Sequence, residues 1–235
     1  MSQQTSTIVR WIVTLCIPFM LGFYMMTFVI APWYPQWEYN KASFPPDHYG
    51  WTQEQRLELA LVSVNFLARR EPATEVIYML EEQTHPDSDE LLFNQREVDH
   101  MFDVKVRADR FRRATTILAI VVVAGITALL YSNRTEATAY LAVRNGGIAT
   151  LAILAVIGGV IGLAWDFFFT FFHELLFPPG TWTFSYSDSL IRLFPNKFWF
   201  DVGVLIVSLT IVAGLVVAIV GHLMLKSAER SRANT

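Results

Sequence analysis

The stretch ATTILAIVVVAGITALLYS, residues 114–132, contains no charged residue and decides the class of fold. A segment needs about 20 predominantly apolar residues to cross the hydrocarbon core of a bilayer. Three other stretches of the chain meet the same test, and one of them continues past Asp166 into a series of phenylalanines. The sequence therefore predicts four membrane spans, at about residues 11–32, 114–132, 146–172 and 202–225.

The segments between these spans differ in length and character. A long polar insert occupies residues 33–113, a short link 133–145, and an aromatic loop 173–201. In the insert, Thr52 and Gln55 have the spacing of a capping box at the start of a helix, and no stretch alternates like a strand. We therefore predict an all-α membrane protein forming one domain over residues 1–235, with a helical cap made mainly by the insert.

The number of spans determines which segments can meet. With four spans, the insert and the aromatic loop emerge on one side of the membrane, so His100 and His173 can approach each other. The formal net charge of −3 gives no indication of a nucleic-acid partner.

The insert contains a candidate catalytic sequence, EVDHMFDVK, at residues 97–105. On a helix, Glu97, His100 and Asp103 lie three residues apart on one face. A carboxylate beside an imidazole can fix its tautomer and raise its basicity. The alternative interpretation of this stretch alone is a solvated helix face without a catalytic role.

A second candidate sequence, FFHELLFPPGTWTFSYSDSLIRLFPNKFWFD, begins at residue 171. Asp166 and His173 are two helical turns apart, and ionisable groups at membrane depth usually face a polar cavity or a partner. The aromatic residues Phe172, Trp182, Phe184 and Tyr186, with the acidic Asp188, suit an acyl-chain site beside a reaction centre. The alternative is an interfacial anchor, in which His173 lies among lipid headgroups.

The sequence contains no G-x-S-x-G, H-E-x-x-H or P-loop motif. A serine or cysteine nucleophile therefore has no support. Two histidines with nearby carboxylates instead favour general acid–base catalysis, because imidazole titrates near neutral pH.

The two candidate sequences together resemble the lipoprotein intramolecular transacylase family of bacterial integral membrane proteins, and the order of spans and loops is similar over essentially the whole chain. The sequence departs from the family pattern at Pro178-Pro179 and Ser187. The matching residues are Glu97, His100, Met101, Asp103 and Lys105 in the first sequence, and Phe172, His173, Trp182, Asp188, Leu190, Ile191, Pro195 and Phe198 in the second.

The resemblance implies an acyl migration within one lipoprotein, from the sn-2 ester of an S-diacylglyceryl cysteine to its α-amine. It implies His100 and His173 as the catalytic pair, with the base not assigned between them, and no cofactor or metal. We expect Glu97, Asp103, Asp166 and Asp188 to orient the histidines, and Phe172, Trp182, Phe184 and Tyr186 to bind lipid. The expected partners are a diacylated lipoprotein N-terminus and membrane lipid, and the expected state is a monomer.

The resemblance also implies an orientation in the bacterial plasma membrane, with the active site outside and both termini in the cytoplasm. The basic residues at 105–113 favour the opposite orientation, because Lys and Arg near span ends are retained on the cytoplasmic side. The insert exceeds about 60 residues, the length over which loop charges orient a protein reliably, so we give the resemblance more weight.

Two alternative functions remain open from the residues alone. One is a metal-dependent membrane hydrolase that uses Glu97, His100, Asp103 and His173 as ligands. The other is a non-enzymatic adapter whose aromatic loop binds lipid.

Overall fold

A computed structural model describes residues 1–132 and 134–233, without the side chains of Arg232 and Ala233. The parts of the predicted link and tail at Asn133, Asn234 and Thr235 lie outside these residues. Within the described part, the only β pairing is an isolated bridge between Thr84 and Leu91. The ten helices found there are α1 (Gln3–Phe28), α2 (Trp33–Tyr39), α3 (Gln53–Ala68), α4 (Ala73–Val76), α5 (Tyr78–Glu81), α6 (Gln95–Leu130), α7 (Glu136–Leu163), α8 (Trp165–Leu176), α9 (Ser189–Leu193) and α10 (Asn196–Ala233).

Four of these helices, α1, α6, α7 and α10, are long and apolar enough to cross a membrane. The prediction of an all-α membrane protein with four spans is confirmed. With 36 residues, α6 is about 54 Å long, whereas the hydrocarbon core is about 30 Å thick. Because its uncharged part begins at Ala114, the charged residues 95–113 lie outside the spanning segment.

The third span differs from the prediction of one segment over residues 146–172. Helix α7 begins at Glu136, so the link before it is shorter than predicted, and it ends at Leu163. The backbone of Ala164 leaves the helical region, with φ −146° and ψ 54°, and α8 begins at Trp165. The residues that follow the break therefore form a separate helix, which carries both Asp166 and His173. The predicted aromatic loop is also partly helical, because it contains the end of α8, α9 and the start of α10.

The chain divides into two compact units. That residues 1–235 form one domain stays a prediction. The first unit comprises residues 1–26, 111–162 and 205–235. Within it, α7 and α10 approach closely, since a Cβ on Gly147 would lie 2.4 Å from the backbone nitrogen of Ala218. Gly221 is equally close to the backbone of Arg144. Small residues allow this close contact between membrane helices.

The second unit comprises residues 27–110 and 163–204. It contains α3, whose predicted capping box is confirmed: the Gln55 backbone N–H donates to Thr52 Oγ1 at 3.2 Å, and the Thr52 N–H donates to Gln55 Oε1 at 2.8 Å. The predicted single helix after Pro72 is instead two short helices, α4 and α5, which meet at Ile77.

A buried arginine fixes α9 within this second unit. The Arg56 guanidinium donates to the carbonyl oxygen of Arg192 at 2.6 and 2.9 Å and to that of Pro45 at 2.8 Å. The Arg192 side chain donates in turn to both carboxylate oxygens of Asp47. These bonds satisfy the end of α9 and hold its apolar side chains in the wall of the cavity described below.

Candidate functional site

The two histidines that were predicted to meet lie together in the second unit. The ring centroids of His100, on α6, and His173, on α8, are 6.4 Å apart, with an angle of 22° between the ring planes. His100 is 9% exposed and packs against the rings of Phe177 at 4.9 Å and Phe184 at 5.3 Å. The two imidazoles, from distant parts of the chain, are therefore close neighbours.

The tautomer of His173 follows from its hydrogen bond. Its Nδ1 lies 2.7 Å from the carbonyl oxygen of Phe169, one turn earlier on α8. A carbonyl oxygen can only accept, so Nδ1 carries the proton and Nε2 of the neutral ring has a free lone pair. The ring is also held by Phe169 at 4.1 Å and Trp182 at 5.0 Å between centroids. This arrangement gives His173 a fixed, unprotonated nitrogen.

Burial disfavours the charged form of both rings. It lowers the pKa of His100 to about 4, with the neighbouring His173 as the second cause. Burial also lowers the pKa of His173, while the carbonyl of Phe169 acts in the opposite direction. Both imidazoles are therefore neutral at pH 7, which is the form that can accept a proton or donate a neutral hydrogen bond.

A cavity of about 120 Å³ lies beside the two rings. Its wall is mostly apolar and includes residues from α3, α6, α9 and α10 of the second unit. Polar side chains in the wall include His100, His173, Trp182 and Tyr34. The Tyr34 hydroxyl is satisfied by the carbonyl of Phe198 at 3.0 Å and lies 3.2 Å from Glu38. The polar groups of the wall that remain available to a ligand are therefore those at the histidine pair.

Two of the predicted orienting carboxylates on α6 have partners other than the histidines. Glu97 is 1% exposed and accepts from the backbone N–H groups of Asn94 at 2.8 Å and Leu190 at 2.7 Å. Asp103 forms an ion pair with Arg107 at 2.8 Å. Glu97 thus joins the start of α6 to α9, and Asp103 acts on His100 through its charge only.

The other two predicted orienters are also turned to other groups or to solvent. Asp188 accepts from the backbone N–H of Ser185 at 2.8 Å, which closes the turn before α9. Asp166 is exposed at the first turn of α8. The group that orients His173 is instead a backbone carbonyl.

The four predicted lipid-binding aromatics separate into two pairs. Trp182 and Phe184 line the cavity and pack on His173 and His100, respectively. Phe172 contacts the edge of His173 at 5.7 Å between centroids, outside the cavity wall. Tyr186 is 85% exposed.

Two residues outside the predicted set of site residues help to shape the site. The Arg107 guanidinium donates to the carbonyl of Leu176 at 3.0 Å and lies 5.2 Å from the Phe177 ring, so it fixes the end of α8. Arg96 donates to the carbonyl of Thr183 at 2.7 Å and covers Phe184. Spacing in the sequence could not reveal these contacts, which join distant segments.

The four side chains of the proposed metal ligand set do not converge. Glu97 and Asp103 are engaged as described, and nowhere in residues 1–132 and 134–233 do three His, Cys, Asp or Glu side chains form a group suited to a metal ion.

Replacing Glu97 with alanine is expected to lower the stability of the protein by about 3 kcal/mol, because two N–H groups lose a charged acceptor in a buried position. Thermal unfolding in detergent measures this change. Glu90→Ala, at an exposed carboxylate, is the matched control and should leave the melting temperature unchanged. Equal melting temperatures for the two variants would contradict the role assigned to Glu97.

The fold is that of a helical integral membrane protein, and the site holds two neighbouring imidazoles beside an apolar cavity. The family model of the lipoprotein intramolecular transacylase Lit matches residues 9–199. The chain therefore belongs to the lipoprotein intramolecular transacylase family, and it is a membrane enzyme that acts on lipoproteins.

Individual relatives and solved structures are also similar to this chain. The chain is 29% identical over 188 residues to an uncharacterized protein of Aquifex aeolicus, and the aligned region covers 80% of this chain and 81% of that protein. The in meso structure of the membrane integral lipoprotein intramolecular transacylase Lit from Bacillus cereus aligns with a TM-score of 0.69 at 16% identity, over 97% of this chain and 100% of that chain. A structure of the same Bacillus cereus protein with one histidine substituted aligns with a TM-score of 0.60, over 97% of this chain and 95% of that chain. At this identity the structural matches show the fold.

Proposed function

We propose that this enzyme moves the sn-2 acyl chain of an S-diacylglyceryl cysteine to the α-amine of the same cysteine. The product is an N-acylated lipoprotein with a lyso-type glyceryl group. The observation that carries the proposal is the 6.4 Å separation of two imidazole rings, that of His100 buried and that of His173 half-buried, beside an apolar cavity. No covalent enzyme intermediate is needed, because both reacting groups belong to one substrate and the enzyme supplies their orientation.

His173 is the proton carrier in this proposal. As the amine nitrogen bonds to the acyl carbonyl carbon, the nitrogen becomes acidic, and Nε2 of His173 takes its proton. The carbon–oxygen bond of the ester then breaks, and the imidazolium returns that proton to the departing glyceryl oxygen. The Nδ1–H bond to Phe169 supports this role, since it leaves Nε2 free and stabilises the imidazolium that forms.

His100 is the neutral partner of His173. Its low pKa disfavours an imidazolium, so it suits an N–H donor to the carbonyl oxygen as negative charge develops there. Its Nδ1 is buried and has no hydrogen-bond partner among the described residues. An incoming substrate oxygen would supply the missing partner.

The surrounding residues would bind and shield the substrate. Trp182 and Phe184 would contact the acyl chain next to the ester, while Phe172 and Tyr186 would contact surrounding lipid. Glu97, Asp103, Asp166 and Asp188 would shape the site without touching the reacting atoms. We propose that the enzyme works as a monomer and without a cofactor.

The substrate chemistry also supports an orientation in the plasma membrane. A mature lipoprotein is anchored in the outer leaflet, so the site would face outward and both termini would lie in the cytoplasm. Fusions of alkaline phosphatase at the C-terminus and in the exposed segment near His48 would test this proposal. Alkaline phosphatase activity in the C-terminal fusion alone would show that the orientation is the reverse of the proposed one.

Mass spectrometry of lipoprotein N-termini tests the proposed reaction. Cells that produce diacylated lipoproteins should gain N-acylated lyso-glyceryl peptides of unchanged total mass when they express this chain. Fragment spectra distinguish the isomers, because only the product carries a fatty acyl group on its amine. Unchanged fragment spectra in the presence of well-expressed, folded protein would reject the proposal.

The pH dependence of the reaction should follow the substrate amine rather than an ordinary histidine. An α-amine has a pKa of about 7.7–8.0, so the rate at low substrate concentration should rise about tenfold per pH unit below that value. A required neutral imidazole adds a steeper limb only below its own pKa, and burial lowers that pKa for both rings. A rate–pH profile with purified protein should therefore have no second limb near the ordinary value of about 6.5.

The same pKa directions fix the sign of the effect on stability. The folded state favours neutral rings, so the contribution of the two rings to stability should be constant above about pH 6.5 and decline as the pH falls below it. In the rate–pH profile, a second limb at pH 6.5 or above would contradict the assignment of neutral imidazoles to both histidines.

A further inference from the structure

The cavity contains an indole N–H that has no acceptor within the described residues. Nε1 of Trp182 is buried and unpartnered, as is Nδ1 of His100. The third such side-chain atom among these residues belongs to Glu38. Two of the three thus lie in the wall of one small cavity, next to the proposed reaction centre.

The chemistry of an indole restricts what can satisfy this group. The indole nitrogen is a donor only, so its partner must be an oxygen that accepts. The carbonyl of Phe169 already accepts from His173 and that of Phe198 from Tyr34, and the free lone pair of His173 Nε2 is reserved for the substrate amine in the proposed reaction. An acceptor from the substrate remains.

Contacts on both sides fix the position of Trp182. Its ring lies 5.0 Å from that of His173 between centroids. The chain enters through a turn at Gly180, whose φ of +81° suits glycine, and the next residue, Thr183, accepts a hydrogen bond from Arg96. Phe184 then packs on His100 at 5.3 Å. The indole is therefore held against His173, in a segment whose next aromatic residue packs on His100.

We infer that Trp182 is a catalytic residue whose Nε1–H donates to the acyl carbonyl oxygen, an inference that rests on the proposed function. When the amine nitrogen bonds to the carbonyl carbon, the carbonyl electron pair moves to oxygen, and the indole N–H and His100 stabilise that charge. When the ester bond breaks, the pair returns to restore the carbonyl, so Trp182 neither gains nor loses a proton. A fixed donor of this kind stabilises the transition state more than the ground state.

The unpaired donor also has a consequence for folding. A buried N–H without an acceptor destabilises the folded protein, so its removal should preserve or raise stability while activity falls. A purely structural tryptophan would give the opposite pattern, with stability and activity lost together.

The test replaces the indole nitrogen without changing the ring. Trp182 is exchanged for 3-benzothienylalanine, in which sulfur stands in place of the N–H, by suppression of a stop codon. We expect kcat for a diacylglyceryl lipopeptide to fall about 100- to 1000-fold, with KM within about threefold and Tm equal or higher. The same exchange at Trp37, which is 48% exposed and outside the cavity wall, should leave kcat and Tm unchanged.

The outcomes separate this inference from the proposed function. Acyl migration by the wild-type enzyme in this assay establishes the reaction independently of Trp182. A benzothienyl variant with wild-type kcat would overturn the inference, as would a variant that changes KM alone, which would make the ring an apolar contact. Trp182→Phe should also lower kcat, and no added hydrogen-bond donor should restore it.

Discussion

Substitution of His173 by asparagine is expected to lower the rate of acyl migration by about 100- to 10,000-fold without unfolding the protein. The side-chain amide of asparagine can take the place of the ring Nδ1–H and donate to the carbonyl of Phe169. It has no counterpart of Nε2, the nitrogen that takes the proton from the amine. The variant therefore keeps the anchor of residue 173 and loses the base.

The measurement compares single-turnover rates of purified variants on a diacylglyceryl lipopeptide. His48→Asn is the matched control, because His48 lies exposed in the loop before α3 and should react at the wild-type rate. His173→Ala should be as slow as the asparagine variant and less stable. If His173→Asn reacted within about twofold of wild type, another group would have to carry the proton.

Substitution of His100 by leucine is expected to lower kcat by about 100- to 1000-fold, the usual effect of removing one donor to a developing oxyanion. Leucine has a similar volume and needs no hydrogen bond. The melting temperature should therefore hold or rise, since the buried and unpartnered Nδ1 is removed. Loss of activity with retained stability is the pattern of a group present for the reaction.

A double substitution tests whether the two histidines act in one step. Residues that act as a unit are strongly non-additive, so His100→Leu combined with His173→Asn should be little slower than the slower single variant. Thermal unfolding of all three variants provides the stability control. Full additivity of the two rate effects would indicate separate roles and contradict a shared transition state.

Local sequence patterns predicted the parts of this structure that depend on neighbours along the chain. Four uncharged stretches predicted the spanning helices, and the spacing of Thr52 and Gln55 predicted a cap that forms as expected. The even number of spans predicted that His100 and His173 could meet. The distance of 6.4 Å between the two ring centroids depended on the fold of the intervening segments, which no spacing rule gives.

The site differs from the sequence prediction where tertiary contacts compete with local ones. The spacing of Glu97 and His100 favoured a carboxylate–imidazole pair, but Glu97 turns to the backbone of Leu190, far along the chain. The orienter of His173 is the carbonyl of Phe169, and its position four residues earlier on a helix could have identified it. The break falls at Ala164, two residues after Gly162, and the continuous apolar run hides it.

An isotope crossover experiment tests whether the histidine pair transfers an acyl chain within one lipoprotein molecule. Purified enzyme is given an equal mixture of two lipopeptides, one with deuterated acyl chains and a nitrogen-15 cysteine, the other unlabelled. We expect every N-acylated product to keep the mass of its parent, so that light and heavy parts never mix. Products that join a heavy acyl chain to a light cysteine, or release of free fatty acid in place of N-acylation, would contradict it.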